Sequence, residues 1–376
     1  MRRLLAVVCC VTSALCALDA QAPQRPAFRS GVDVVTVDVR VIDRQGRPVG
    51  DLGPADFVVS VDGRARTVVA AEFVSYSADS VGSRPAPASD PTAPAPPVAA
   101  SDTPSPGRTI VIVVDEEHIR AGYGKWAGDA AAKFIDRMHP TDRVGLVVPR
   151  SNIRVAPTTE HAVVKAALGH LVGHLSIFNA GGGTIILADA CGSAPSAMLS
   201  DMKDRVFSTL RSLEDLFVSL GSEPGSKTVL LISEELPICD QGSDRLDFRF
   251  YFERISEAAA RAQAMLYVMQ LDRPVADAED PQRASQNQRV QPGREQSIRN
   301  HGLETVVSVT GGKRLLVSGR PDAVLERVAV EISGQYLLGF SSEAPDRHGK
   351  ARSIKVTVKR KGVEVYARKM FAYSGR

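Results

Sequence analysis

The sequence predicts an α/β protein: a doubly wound, mostly parallel sheet, flanked at both ends of the chain by strands that form a small β domain. Three observations carry this. The run Ile110–Val114 is wholly apolar and β-branched and ends in Asp115, Glu116 and Glu117, as expected of a buried parallel strand whose carboxyl end reaches solvent. Between residues 108 and 333 such runs alternate with helical periodicity, which implies a sheet covered on both faces. Near both ends the period falls to two, in valine-rich segments at 32–42 and 354–359, the pattern of half-buried strands.

In chain order, Arg2 and Arg3 precede a mostly apolar stretch at 4–18, and Ala20-Gln21-Ala22 fits a small-x-small cleavage site. Residues 1–22 therefore read as an export signal, placing the protein in the periplasm or outside the cell. The run is short for a membrane span, so no transmembrane helix is expected in the mature chain. Cys9, Cys10 and Cys16 would leave with the signal, and Val8 and Leu15 are not the small residues expected before an acylated cysteine. Cys191 and Cys239 remain. In an exported protein they are either paired, closing a loop worth about 4 kcal/mol in the chain-entropy model, or two buried thiols.

Residues 30–76 read as an N-terminal β domain. Asp43–Gly46 is a turn, and strands at 58–61 and 67–74 are joined by Asp62-Gly63 as a hairpin. Residues 77–107 are rich in Pro, Ala and Ser, a linker composition that cannot bury enough surface to order itself. The α/β region spans 108–333, with strands expected at 109–115, 144–149, 228–233, 265–270 and 314–317. Helices are expected at 127–138, 160–171, 196–220, 250–263, 298–309 and 321–332. In the longest of these, Val206, Leu210, Leu213, Phe217 and Leu220 recur at threes and fours. Residues 274–297 are polar and read as an inserted loop, solvated or functional. Residues 334–376 return to β structure, with strands at 335–340, 354–359 and 363–373, which are expected to pack with the N-terminal strands.

The formal net charge of +3 and the 5% aromatic content give neither the basic footprint nor the stacking platform of a nucleic-acid binder. Enzyme signatures are incomplete. Gly221 to Thr228 resembles a phosphate loop, but Ser226 stands where glycine is needed and the segment precedes a strand. Glu116-Glu117-His118 lacks the second histidine of a zinc-protease motif, and a lone His118 reads as a surface residue. His170 and His174 are four apart, without a third ligand. Gly181–Gly183 is a flexible loop or an anion cradle. No Gly-x-Ser-x-Gly elbow occurs. Lys355, Lys359, Arg360, Lys361, Arg368 and Lys369 suggest either a charge-protected β edge or contact with an acidic envelope polymer.

The order of elements resembles a von Willebrand factor type A domain. The whole mature chain resembles the exported VWFA-related proteins common in acidobacteria. The resemblance rests on Val41 to Val49 (Val-Ile-Asp-Arg-Gln-Gly-Arg-Pro-Val), Leu52 to Phe57 (Leu-Gly-Pro-Ala-Asp-Phe), and Val61-Asp62-Gly63 at the front. It continues through Asp142 to Leu146, Lys227 to Ser233, Thr310-Gly311-Gly312 and Tyr336 to Phe340.

What the resemblance implies is a domain that binds a protein partner through a divalent ion at the carboxyl edge of the sheet. The family's ligands are Asp-x-Ser-x-Ser after the first strand, a threonine in a second loop and an aspartate after a later strand. Asp115 matches the first aspartate, with Glu117 and Ile119 in place of the serines. Thr184, after Gly181–Gly183, matches the threonine, and Glu234 stands for the last aspartate. Oxygen donors of this kind suit Mg²⁺, or Mn²⁺ or Ca²⁺. If Cys191 and Cys239 pair, they tie together the loops of Thr184 and Glu234. The expected function is an exported, non-enzymatic protein-binding module with a degenerate metal site at Asp115, Glu117, Thr184 and Glu234. The alternative is a metal-free structural scaffold of the cell envelope.

Overall fold

A computed structural model describes residues 34–76, 108–151, 153–176, 191, 196–239, 244–271, 292–317, 321–343, 346 and 351–372. The expected signal (1–22), the 77–107 linker, Gly181–Gly183, Thr184 and most of the polar insert lie outside these residues.

The central sheet contains β5 (Thr109–Val114), β6 (Arg143–Val147), β7 (Arg154–Thr158), β8 (Lys227–Ser233), β9 (Ala264–Leu271) and β10 (Lys313–Val317). Their order is β10-β9-β8-β5-β6-β7. All pairs are parallel except β6 with β7. Every residue of β5, β8 and β9 is buried, which explains their unbroken apolar reading.

Six described helices cover the sheet: α1 (Gly124–Ile135), α2 (His161–Leu168), α3 (Ser196–Leu220), α4 (Asp244–Ala262), α5 (Pro292–Thr310) and α6 (Pro321–Glu331). Alternate side chains of a strand point to opposite faces, so β5 feeds two cores. Ile110, Ile112 and Val114 pack with Phe134, Val164, Leu168 and Leu325 of α1, α2 and α6. Val111 and Val113 share the other core with Val206, Leu210, Ile255 and Leu303 of α3, α4 and α5. No described helix is long and apolar enough to cross a membrane.

The two ends of the chain build one β sandwich. Its first sheet has the order β13-β1-β11-β4, from β1 (Val34–Asp43), β4 (Val68–Ser75), β11 (Gly334–Ser341) and β13 (Val363–Ala367). The second has the order β14-β12-β2-β3, from β2 (Phe57–Val61), β3 (Arg64–Arg66), β12 (Arg352–Val358) and β14 (Met370–Phe371). Val37, Val39, Phe57, Val59, Tyr336, Phe340, Ile354 and Phe371 fill the space between them. The sandwich is fastened to the α/β region by buried arginines. Arg40 Nη2 donates to Thr228 Oγ1 at 2.8 Å, and Arg368 Nη1 donates to the Ala260 carbonyl at 2.6 Å.

Several expectations change. The Asp62-Gly63 turn is present, with both residues at positive φ (47° and 79°), but it joins β2 to the short β3. The chain then crosses at Thr67 into the other sheet, where β4 pairs with β11. Residues 292–297, read as part of the polar insert, open α5. Pro292 is pre-set for a first helical turn, and Glu295 pairs with Arg299 one turn on, at 2.5 Å. The strand expected at 363–373 is interrupted by Arg368, which is buried against α4. Strand β7 was absent from the sequence reading.

Candidate functional site

β5 and β8 are neighbours, paired from Thr109↔Lys227 to Val114↔Ile232. From β5 the chain moves to β6 on one side, and from β8 to β9 on the other. In an open α/β sheet this reversal leaves a crevice at the carboxyl ends of the two strands. Asp115 and the short 3₁₀ turn Glu116–His118 follow β5 here, and Glu234 and Glu235 follow β8.

Asp115 is fully buried. Its Oδ2 lies 2.8 Å from His118 Nδ1 and 3.4 Å from Ser233 Oγ. His118, read from sequence as a surface residue, is 1% exposed. Burial is the largest influence on it and opposes protonation. The Asp115 carboxylate, by charge and hydrogen bond, outweighs burial with help from Glu235, so the pKa rises above its ordinary value of 6.5. Asp115 Oδ1 and His118 Nε2 are buried without a hydrogen-bond partner. Aspartate, histidine and serine do not form a nucleophilic triad here. The Ser233 hydroxyl faces Asp115 and donates to the Glu235 carbonyl at 2.8 Å, and Ser233 is fully buried.

The other acids are held by protein cations or amides. Glu116 turns away from the crevice, its Oε1 accepting the Val172 amide at 2.6 Å. Glu117 lies 3.8 Å from Arg150 Nη1 and 3.9 Å from Arg205 Nε. Glu234 accepts from Arg120 twice, the backbone amide to Oε1 at 3.0 Å and Nε to Oε2 at 2.8 Å. Arg120 also stacks over the Tyr123 ring at 4.7 Å. Glu235 pairs with Arg299, which also holds Glu295.

A hard divalent ion needs several oxygen ligands free to turn toward it. Among the described members of the expected set, Glu234 is clasped by Arg120, Asp115 faces His118 and Glu117 lies 3.8 Å from Arg150. Ile119, at the second serine position, is a buried apolar wall. Among the described residues no group of three His, Cys, Asp or Glu side chains is placed to hold a metal ion. The described donors do not by themselves fit a divalent ion, because Arg120 engages Glu234 and an apolar side chain stands at the second serine position. Thr184 lies outside the described residues.

Cys191 and Cys239 are bonded, with Cα atoms 5.5 Å apart. The bridge ties the segment after β8 to the approach to α3. His170 and His174 share no helix face, since α2 ends at Leu168. Of the basic residues near the last hairpin, Arg368 is buried, while Lys355, Lys359, Arg360, Lys361 and Lys369 are exposed.

The sequence reading missed the arginines that organise this edge, Arg120, Arg150, Arg205 and Arg299. Arg120 carried a weak signal: it sits between Ile119 and the glycine turn at Gly122, three positions after the acidic run. Its partner is 114 residues away.

No protein family model matches this chain, and no curated protein does. Among solved structures, the TFIIH p34 N-terminal domain is 13% identical, with 60% of this chain and 96% of that chain covered at a TM-score of 0.28. The human COPII-coat protein Sec24c is 11% identical, with 71% of this chain and 44% of that chain covered at a TM-score of 0.31.

Proposed function

We propose that this chain is an exported, non-enzymatic protein-binding module of the von Willebrand factor type A kind, related to the acidobacterial VWFA-related proteins. It presents the carboxyl edge of its central sheet to a protein partner without a bound divalent ion. The fold assignment is supported by the strand order β10-β9-β8-β5-β6-β7 with its antiparallel edge strand. The observation that carries the metal-free reading is the double clasp of Arg120 on Glu234. The Arg120 amide on Oε1 and its guanidinium on Oε2 engage both oxygens of the acid and answer the charge that would draw an ion. The non-enzymatic reading is supported by the buried, spent hydroxyl of Ser233 beside the Asp115–His118 pair.

Calorimetric titration with Mg²⁺ or Mn²⁺, with Asp115→Ala alongside, tests the metal-free state. The expected result is no saturable heat in either protein; saturable binding lost in Asp115→Ala overturns it. A photo-crosslinking residue at position 172, an exposed valine beside the Glu116 turn, and another at 58, on the outer face of the sandwich, test the surface. A discrete envelope protein captured from 172 supports the module. Capture from 58 alone replaces it with the scaffold reading.

A further inference from the structure

The turn between β6 and β7 closes a pocket of about 290 Å³ beside the sheet edge, lined by Val147, Pro149, Arg150, Ser151, Arg154 and Ser212. We propose that this pocket receives the side-chain carboxylate of an aspartate or glutamate of the partner protein, held between Arg150 and Arg154. The inference rests on the reading of the sheet edge as a protein-binding surface and names the group that surface would take.

Four observations carry it. Arg154 is exposed and makes no ion pair or hydrogen bond through its side chain among the described residues. Arg150 is 44% exposed, and its nearest acid, Glu117, stands at a long 3.8 Å. The pocket therefore holds two guanidiniums and less than one carboxylate to answer them. Second, Arg150 is held at φ +59°, a left-handed conformation that glycine would occupy without strain. Strained non-glycine positions persist where the surrounding structure fixes them, and they cluster at ligand clamps.

Third, the described residues around Arg150 are tied to one another. The Val148 amide donates to the Ile153 carbonyl at 3.0 Å, and Ser151 Oγ accepts the Ile153 amide at 3.0 Å. The arginine is thus presented rather than left to wander. Fourth, the lining is mixed. Buried Val147 and Pro149 suit the methylene stem of an acidic side chain, and guanidinium forks match a carboxylate in two parallel hydrogen bonds. Glu117 beside Arg150 works against a dianion such as phosphate more than against a single carboxylate. Two arginines in one pocket are too few to follow a polyanion backbone.

The test is fluorescence anisotropy of a labelled tetraglutamate peptide on the full protein at physiological salt, with a tetraglutamine peptide as the neutral probe. Arg154→Gln removes a cation that makes no internal contact, and Arg150→Gly removes the other while relieving the backbone, so both should fold. The expected result is saturable binding of tetraglutamate only, weakened about tenfold or more by either variant, as for a lost charge-assisted hydrogen bond, and unchanged by Lys359→Gln on the sandwich. Equal binding in wild type and both variants overturns the proposal, as does inorganic phosphate displacing the peptide at lower concentration than free glutamate. If position 172 still captures a partner by crosslinking while these variants have no effect, the pocket is wrong and the module stands. If capture from 172 fails as well, both are wrong.

Discussion

Glu234 is clasped by Arg120 through two separate donors, the backbone amide at 3.0 Å and the side-chain Nε at 2.8 Å. Both side chains are nearly inaccessible, 8% and 2% exposed. Removing one member of such a pair leaves a buried charge without its counterion, at a cost of about 3–5 kcal/mol. Arg120→Leu should therefore lower stability by about that much in urea unfolding. Arg120→Leu combined with Glu234→Leu should recover most of the loss. A double variant as unstable as the single one would show that Arg120 acts through its packing on Tyr123 instead.

The Cys191–Cys239 bridge spans a sequence separation of 48 residues. In the chain-entropy model a loop of that size is worth about 4 kcal/mol. Cys191→Ser with Cys239→Ser, or reduction of the native protein, should move the urea midpoint down accordingly. A change under about 1 kcal/mol would mean that the reduced chain keeps the loop closed by other contacts.

Acid should act first on the sandwich. Arg66 grips Asp346 through Nε at 2.9 Å and Nη2 at 3.0 Å, with both side chains buried. The Arg66 hydrogen bond, more than its charge alone, holds the Asp346 carboxyl below its ordinary 3.8, against the opposing effect of burial. A depressed folded-state pKa adds stability that is complete above the unfolded value and fades as pH falls through the folded one. Wild type should exceed Asp346→Asn by about 2 kcal/mol near pH 6, and the gap should begin to narrow below about pH 4 and close only as pH falls through the lowered folded value. A gap independent of pH would assign the effect to hydrogen-bond geometry rather than to charge.

Thr310-Gly311-Gly312 has a steric explanation. A Cβ on Gly312 would stand 1.7 Å from the Leu266 carbonyl oxygen, and one on Gly311, at φ +73°, 2.1 Å from the Ala367 carbonyl oxygen. Neither neighbour is a movable side-chain tip. Gly312→Ala should cost about 4 kcal/mol or more, or abolish soluble expression. Gly225→Ala, at positive φ but facing open space, should cost only about 1 kcal/mol. Thermal melts of the two variants separate these cases.

What the sequence disclosed, and what it concealed, follows from how local each signal is. Ile110–Val114 announced a buried strand because all its side chains are apolar and its neighbours are parallel strands. The apolar face of α3 was legible through its spacing. β7 was hidden because Arg154–Thr158 contains Pro157, and proline suits only an edge strand; β7 is an edge. Helix α1 begins at Gly124, before the expected 127, and packs so closely there that a Cβ would be 2.2 Å from the Val172 carbonyl carbon. At the candidate site the acids were evident and their partners were not. His118 is buried because Asp115 faces it, and Arg120 because Glu234 does, and the second relation reaches 114 residues along the chain.

The pairing of β1 with both β11 and β13, and of β2 with β12, has a consequence for biogenesis. The valine-rich β1 emerges early, yet neither of its neighbours exists until the chain has passed residue 334. Throughout synthesis, that strand offers two open edges and an apolar face, the features that drive wrongful association between chains. A chain that lost β11 to β14 would carry the same hazard permanently. The sandwich is therefore the last part of the molecule to become self-contained, and a cell making this protein must shield its first strand until its final strands arrive.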